Sequence, residues 1–349
     1  MHRGIAFALG SALLFGISTP LAKALVGATS PLLLAGLLYA GSGLGLLAAW
    51  VVRRYASARP AGEGLPRRGE WWWLAGGIVF GGVMAPVALM YGLVTTTAST
   101  ASLLLNLEAV FTALLAWFLF RENFDSRVAV GMLAIVAGGL VLAWIPGGPE
   151  GMWMGPVLIA AACLCWALDN NLTRRISGSD PVVIAGLKGL VAGSVNLLLA
   201  LSLGATLPAA GVTGAAAAVG FLGYGVSLVL FVLALRHLGT ARAGAYFSVA
   251  PFFGAAVAVL LQGEALTWQL VVAGAAMAAG VWLHLTERHG HLHAHERVEH
   301  AHAHTHDRHH RHEHDFAWDG REPHLHAHVH APLVHAHPHY PDLHHRHPH

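Results

Sequence analysis

Three ionisable side chains interrupt apolar runs that are otherwise free of charge: Glu108 in "LLLNLEAVF", Asp169 in "CWALDNNLTRR" and Lys188 in "AGLKGLV". An acid or amine at the centre of a membrane helix costs roughly 2.5–3.5 kcal/mol on insertion scales, so each needs a partner or a wet cavity. The chemistry open to them is exchange of protons and ions. A carboxyl at Glu108, protonated facing one side and ionised facing the other, would couple proton entry to the exit of another solute. Asn106 stands two residues before it, on a different helix face. Asp169 is followed by Asn170 and Asn171 and shares a face with Thr173 through i, i+4 spacing. Lys188 suits pairing with Glu108 or Asp169, or holding a substrate carboxylate. Plainer readings stand beside these: a protonated Glu108 bonded between helices, an Asp169 salt bridge to Arg174 or Arg175 at a helix end, and a Lys188 stem reaching toward the interface. Glu108, Asn106, Asp169, Asn170 and Lys188 form the candidate substrate and proton pathway.

A second chemistry sits at the other end of the chain. Of its 26 histidines, all but His2, His237 and His284 fall within 289–349. The stretch "HAHAHTHDRHHRHEH" supplies His300, His302, His304, His306, His309, His310, His312 and His314 as candidate metal ligands. Neutral imidazole binds Zn, Ni, Co or Cu, and H-x-H spacing lets a chain fold around an ion. Protons compete for the same nitrogens, so binding is pH-dependent. Apolar residues here are too sparse for a core, which predicts a disordered tail. "HERVEH" at 295–300 has one residue too many for H-E-x-x-H, and "GSGLG" at 41–45 lacks the spacing of a serine nucleophile elbow. No Gly-rich phosphate loop follows a strand. The expectation is no enzyme and no required cofactor. Cys163 and Cys165, two apart on a helix, point in different directions and share no metal.

The elements that position these residues are written in the composition. The chain is 55% hydrophobic and 11% charged, with 41 glycines, which does not describe a soluble α/β enzyme. Apolar stretches of about twenty residues recur, each long enough to cross a hydrocarbon core of roughly 30 Å as a helix. The spans are 4–25, 31–52, 71–94, 98–120, 128–145, 153–175, 181–203, 214–235, 243–261 and 267–286. None alternates as a strand would, and helices satisfy their own backbone in lipid. The first stretch exceeds a signal-peptide core and is read as span 1. Tyr91, Trp117 and Trp166 are expected in the packed core, and Glu122 and Glu264, at span ends, in turns or caps.

Charge orients the bundle. One set of loops and ends carries Arg3, Arg53, Arg54, Arg59, Arg67, Arg68, Arg121, Arg127, Arg174, Arg175, Arg236, Arg242 and Arg288; the opposite set carries at most Lys23. The positive-inside bias puts both termini and the histidine tail in the cytoplasm. Trp71, Trp72 and Trp73 on one side and Trp144, Trp153 and Trp268 on the other suit interfacial anchoring. A formal net charge of +2 gives no sign of a nucleic-acid partner.

Ten spans divide into two fives. "SPLLLAGLL" opens span 2 and "DPVVIAGLK" opens span 7; an ungapped match from span 4 onward lays Phe111 on Phe253, Glu122 on Glu264 and Gly138 on Gly280. Five being odd, the second half enters the membrane upside down, an arrangement typical of secondary transporters with a midplane site. Two five-helix halves, a Ser-Pro or Asp-Pro opening spans 2 and 7, and a Glu ending spans 4 and 9 resemble the EamA family of the drug/metabolite transporter superfamily, over residues 3–286. The resemblance implies a ten-helix plasma-membrane carrier exporting small metabolites, such as amino acids, or drugs by alternating access. It also implies a basic residue near Lys188 and a proline before the run leading to each Glu. Pro251 fits, but Ala109 departs from that pattern.

The expected fold is therefore an all-α integral membrane protein of ten transmembrane helices in two inverted repeats, 1–146 and 147–288, with a tail at 289–349. The expected partners are lipid, a small-molecule substrate and protons, with divalent metal ions on the tail. Two other readings remain open: a divalent-metal exporter fed by the tail, and a membrane-tethered metal buffer or sensor.

Overall fold

A backbone threading hydrocarbon must pair its own N–H and C=O groups, and long apolar runs accordingly form helices. The computed structural model describes residues 2–56, 68–120, 126–144, 153–176, 179–238 and 240–286, and the tail backbone at 290–295, 298–304, 324–330 and 333–338. It divides into two units, Met1–Glu287 and Arg288–His349. In the first, span 1 is α1 (His2–Leu25) and span 2 is α2 (Pro31–Ala56). Span 3 passes through α3 (Trp71–Gly77), a π-helical segment (Ile78–Met84) and α4 (Ala85–Thr95). Span 4 comprises α5 (Ala98–Leu104) and α6 (Leu107–Phe120), and span 5 is α7 (Ser126–Ala143). Span 6 is α8 (Met154–Thr173) and span 7 is α9 (Pro181–Ser202). Span 8 comprises α10 (Ala210–Gly220), a second π segment (Phe221–Val226) and α11 (Ser227–Leu238). Span 9 is α12 (Thr240–Phe247) with α13 (Ala250–Gln262), and span 10 is α14 (Trp268–Leu285). Among the described residues, eight helices are long and apolar enough to cross a bilayer; the shorter Ala250–Gln262 and Trp268–His284 complete the ten.

Spans 4 and 9, expected as continuous helices, are each interrupted. At Leu105–Asn106 the backbone tightens to i, i−3 bonds, Asn106 to Leu103, Glu108 to Leu105 and Ala109 to Asn106. The Asn106 side chain competes for its own backbone, donating to the Leu103 carbonyl at 3.0 Å. Cys163 Sγ approaches the carbonyls of Leu104 and Leu105 at 3.6 and 3.9 Å, partnering groups at the break. In span 9 the break at Ser248–Val249 precedes Pro251, which cannot donate. The match of Phe111 with Phe253 superposes the two breaks, and the two π segments, to within one residue.

Packing shows the inversion directly. Along α2 and α9, Gly36 meets Leu197 while Gly43 meets Gly189 and Leu190. Along α7 and α14, Gly131 meets His284 and Gly280, and Gly138 meets Met277. Numbers rise on one helix as they fall on the other, so spans 2 and 7, and spans 5 and 10, are antiparallel. These are the equivalent helices of the two halves. The other neighbours obey the same two-fold: span 1 packs on spans 8 and 9, and span 6 on spans 3 and 4. Glycine at the crossings lets backbones approach closely, the usual source of helix association where lipid is as apolar as the side chains. Leucines such as Leu133, Leu198 and Leu260 face outward to lipid. Trp72, Trp144, Trp153 and Trp268 are exposed near span ends.

In the tail, four short backbone segments are described. Gly290–His295 (β1) pairs antiparallel with Leu333–Pro338 (β4), and Val298–His304 (β2) with His324–His330 (β3). The reason is local: histidine alternates with small or apolar residues, and period two is the period of a strand.

Candidate functional site

The site is built where spans 3, 6 and 7 meet. Asp180 caps α9, accepting from the Val182 N–H at 2.8 Å, and Pro181 follows at the first helical position. This start places Lys188 seven residues into the helix, about 10 Å along its axis at 1.5 Å per residue. Asp169 lies one turn before the end of α8. Lys188 Nζ donates to Asp169 Oδ1 at 2.6 Å and Oδ2 at 2.5 Å, and reaches Thr173 Oγ1 at 3.4 Å. Thr173 Oγ1 in turn donates to Asp169 Oδ1 at 2.8 Å. Both charged residues are only 6% exposed.

Span 3 closes over this pair with backbone rather than side chains. Gly77 and Gly81 sit against the Asp169 carboxylate. The π segment bonds i to i−5, as Ala85 N–H does to the Phe80 carbonyl. The next such donor would be Pro86, which has no N–H, so the Gly81 carbonyl is left to side chains. Tyr39 Oη donates to it at 2.7 Å and Trp166 Nε1 at 3.1 Å. Asn196 Nδ2 lies 3.5 Å from the Gly82 and Val83 carbonyls.

Glu108 begins α6 just after the break in span 4, rather than lying mid-helix. Its Oε1 accepts from Asn170 Nδ2 at 2.7 Å. Consecutive residues on a helix diverge by about 100°, so α8 presents Asp169 to spans 3 and 7 and Asn170 to span 4. Asn106 goes elsewhere: its Nδ2 contacts Met277 Sδ on span 10 at 3.8 Å, and its buried Oδ1 has no partner among the described residues. The structure thus joins four of the five sequence candidates around α8 and turns Asn106 away from them.

Other expectations shift as well. Asp169 is paired with Lys188, while Arg175 lies over the Trp73 ring at 5.5 Å. Tyr91 and Trp117, expected in the core, are 45% and 42% exposed, because their helix faces turn to lipid. Trp166 is buried and bonded, as above. Its ring joins Phe15, which also touches Tyr224 and Phe247, while Tyr39 packs on Tyr224. These rings fill the centre between spans 1, 2, 6, 8 and 9. Tyr39 and Gly81 escaped sequence reasoning; the visible signal was Gly81–Gly82 followed by Pro86 in one apolar run.

At the arginine-free end the halves are tied by Glu264. Its Oε1 accepts from Ala98 N–H at 2.7 Å and its Oε2 from Ser99 N–H at 2.8 Å, capping α5 from the far half of the chain. Gln262 donates to the Pro20 carbonyl at 2.8 Å, and Lys23 to the Leu93 carbonyl at 2.5 Å. Glu122 lies outside the described residues. Within the membrane unit, no group of three or more His, Cys, Asp or Glu among the described residues is placed to hold a metal ion. Of the tail candidates, His300, His302 and His304 hold register positions in β2; His306, His309, His310, His312 and His314 lie outside the described residues.

Ten apolar helices in two antiparallel halves around a buried ion pair define a multi-pass α-helical membrane protein. The profile of the EamA-like transporter family matches the chain twice, over residues 2–144 and 153–286. The chain belongs to the EamA-like transporter family. A relative described as "Uncharacterized transporter", from Methanothermobacter thermautotrophicus, is 32% identical over 213 residues. That alignment covers 58% of this chain and spans 60% of the relative's length. A protein of known crystal structure shares the fold at a TM-score of 0.62 and 21% identity, over 81% of this chain and 98% of that one.

Proposed function

We propose that the protein is a secondary-active exporter of small metabolites or drugs, coupled to protons and working by alternating access in the plasma membrane with both termini cytoplasmic. The buried Asp169–Lys188 pair beside the Glu108–Asn170 contact carries this reading. The fold is two-fold, but the charge is not. Ser18 packs against Gly223 as Asp169 packs against Gly81, and Leu38 occupies the span 2 position that Lys188 holds in span 7. Charge therefore marks one of two equivalent crossings, on the arginine-rich side of the midplane. A substrate bearing a charged group competes there for Lys188 or Asp169, and Glu108, half-buried at a broken helix, is the group placed to gain or lose a proton.

A divalent-metal exporter is favoured less, because the Lys188 ammonium engages both oxygens that a cation would need at Asp169. The test is flux in proteoliposomes over a panel of amino acids, cationic drugs and the ions Ni, Co, Cu and Zn, with and without a pH gradient. Glu108→Gln is expected to retain binding and lose gradient-driven flux. Gradient dependence surviving in Glu108→Gln removes Glu108 as the proton carrier.

A further inference from the structure

Spans 4 and 9 are equivalent helices, yet they pack together on one side of the membrane only. On the arginine-free side α5 lies along α13. Buried Ser102 seats on buried Gly254 there. A Cβ on Gly254 would lie 2.5 Å from Ser102 Oγ and 2.6 Å from the Gly16 carbonyl oxygen of α1. On the arginine-rich side, α6 and α12 have no comparable packing among the described residues. The match that lays Phe111 on Phe253 also lays Ser102 on Gly244 and Thr112 on Gly254. The counterpart of the closed crossing is therefore Thr112 of α6 with Gly244 of α12. In both pairs span 4 brings a small hydroxyl residue and span 9 a glycine. Thr112 and Gly244 are only half-buried. Among the described residues, nothing lies within 4 Å of a Cβ on Gly244, and Thr112 Oγ1 has no hydrogen-bond partner.

We propose that Ser102–Gly254 and Thr112–Gly244 are two alternative gates, of which the first is closed here and the second closes when the first parts. Two inverted halves of equivalent sequence can exchange roles, so a conformation asymmetric about their two-fold has a counterpart with the crossings reversed. Glycine suits such a gate: backbones meet closely without a side chain to rearrange. The breaks at Leu105–Asn106 and Ser248–Val249 lie between the two crossings. They let α6 and α12 swing while α5 and α13 part, as hinges at element ends do. Glu264, which ties α5 on the same side as Ser102, holds the first gate shut. This inference rests on the alternating-access reading above and adds the contacts that close each side.

The test uses the full-length protein in membranes, with its two cysteines replaced by serine so that introduced thiols stand alone. Thr112→Cys with Gly244→Cys is treated with a mild oxidant and the disulfide read by mass spectrometry. Cross-linking needs Cα atoms within about 4.4–6.8 Å, which only the second gate in its closed form provides. The bond is expected to form, and its absence overturns the proposal. A bulky residue at Gly244 should block that closure while fitting the open space. Gly244→Leu is therefore expected to leave the unfolding temperature undiminished. It is also expected to slow labelling of Ala98→Cys by an impermeant maleimide roughly tenfold or more, a modest shift in population. Gly254→Ala, which crowds Ser102, is expected to speed that labelling. Labelling within twofold of the parent in Gly244→Leu overturns the proposal even where the cross-link forms. Neither readout needs a substrate. Flux lost with labelling unchanged would sink the gates and leave the exporter standing; gates confirmed with no solute carried would do the reverse.

Discussion

A Cβ placed on Gly81 would lie 2.0 Å from Oδ2 and 2.6 Å from the Cβ of Asp169, so glycine is what allows span 3 to cover the buried carboxylate. Gly81→Ala must push Asp169 away from Lys188 or part spans 3 and 6. Overpacking of this kind costs about 1–3 kcal/mol. The expected outcome is a lower unfolding temperature in detergent and reduced flux. Gly211→Ala, at a position with nothing within 4 Å, serves as the control that leaves both unchanged.

Asp169 and Lys188 form the salt bridge that burial makes asymmetric: each partner is tolerable only with the other. Asp169→Asn alone strands an ammonium, and Lys188→Met alone strands a carboxylate. Each single change is expected to destabilise by about 3–5 kcal/mol. Asp169→Leu combined with Lys188→Met removes both charges and is expected to recover much of that stability, since apolar replacements of buried pairs are often neutral. Flux is expected to stay lost in the double variant. Thermal unfolding and proteoliposome flux, measured on the three proteins, check both halves of this statement.

The relation of sequence to structure can be judged from these residues. Span positions and their inversion were legible because they rest on apolar length and on where arginine stands, quantities summed over many residues. Lys188 and Asp169 were legible as charges and their pairing as one of several open to each, but not as the one chosen: Arg174 and Arg175 are nearer to Asp169 in sequence, and only the crossing of α8 with α9 selects the lysine. The breaks in spans 4 and 9 were hidden. Asn106 and Ser248 are tolerated in continuous helices, and what opens the turn at Asn106 is a bond to Leu103 assisted by Cys163 from another span. Asn106 was legible as lying on a different face from Glu108, but the neighbour of that face was not: two residues of sequence separation do not reveal that it meets Met277 on span 10. Glu264 was legible as a cap, though not as the cap of α5, a helix 165 residues away in sequence at Ser99.

Glu264 holds the two leading amides of the α5 N-terminus, those of the buried Ala98 and Ser99, where a negative charge is also favoured by the helix dipole. Thr97 adds a weaker cap, accepting from the Thr100 N–H at 3.3 Å. Glu264→Gln removes the charge and one acceptor oxygen, with an expected loss of about 0.5–2 kcal/mol, the range for helix caps. Because the bond joins the two halves at the arginine-free mouth, that mouth should also open more readily. A cysteine at Ala98 is expected to react faster with a membrane-impermeant maleimide in Glu264→Gln than in the parent.

The Gly81 carbonyl offers a sharper test, because two donors share it. Tyr39→Phe leaves Trp166 to satisfy the carbonyl, and Trp166→Phe leaves Tyr39, so each single change should lose little more than one net hydrogen bond, about 0.5–1.5 kcal/mol, with added packing loss for the smaller ring. Removing both orphans a buried carbonyl that Pro86 prevents the helix from reclaiming. The double variant is therefore expected to lose more than the sum of the singles, by about 1 kcal/mol, within the range for residues sharing a network. Restoring the backbone donor with Pro86→Ala in that background gives the carbonyl an N–H, and the excess loss should disappear. Unfolding temperatures of the four proteins decide the matter: strict additivity would mean that the π segment is not held open by these two side chains.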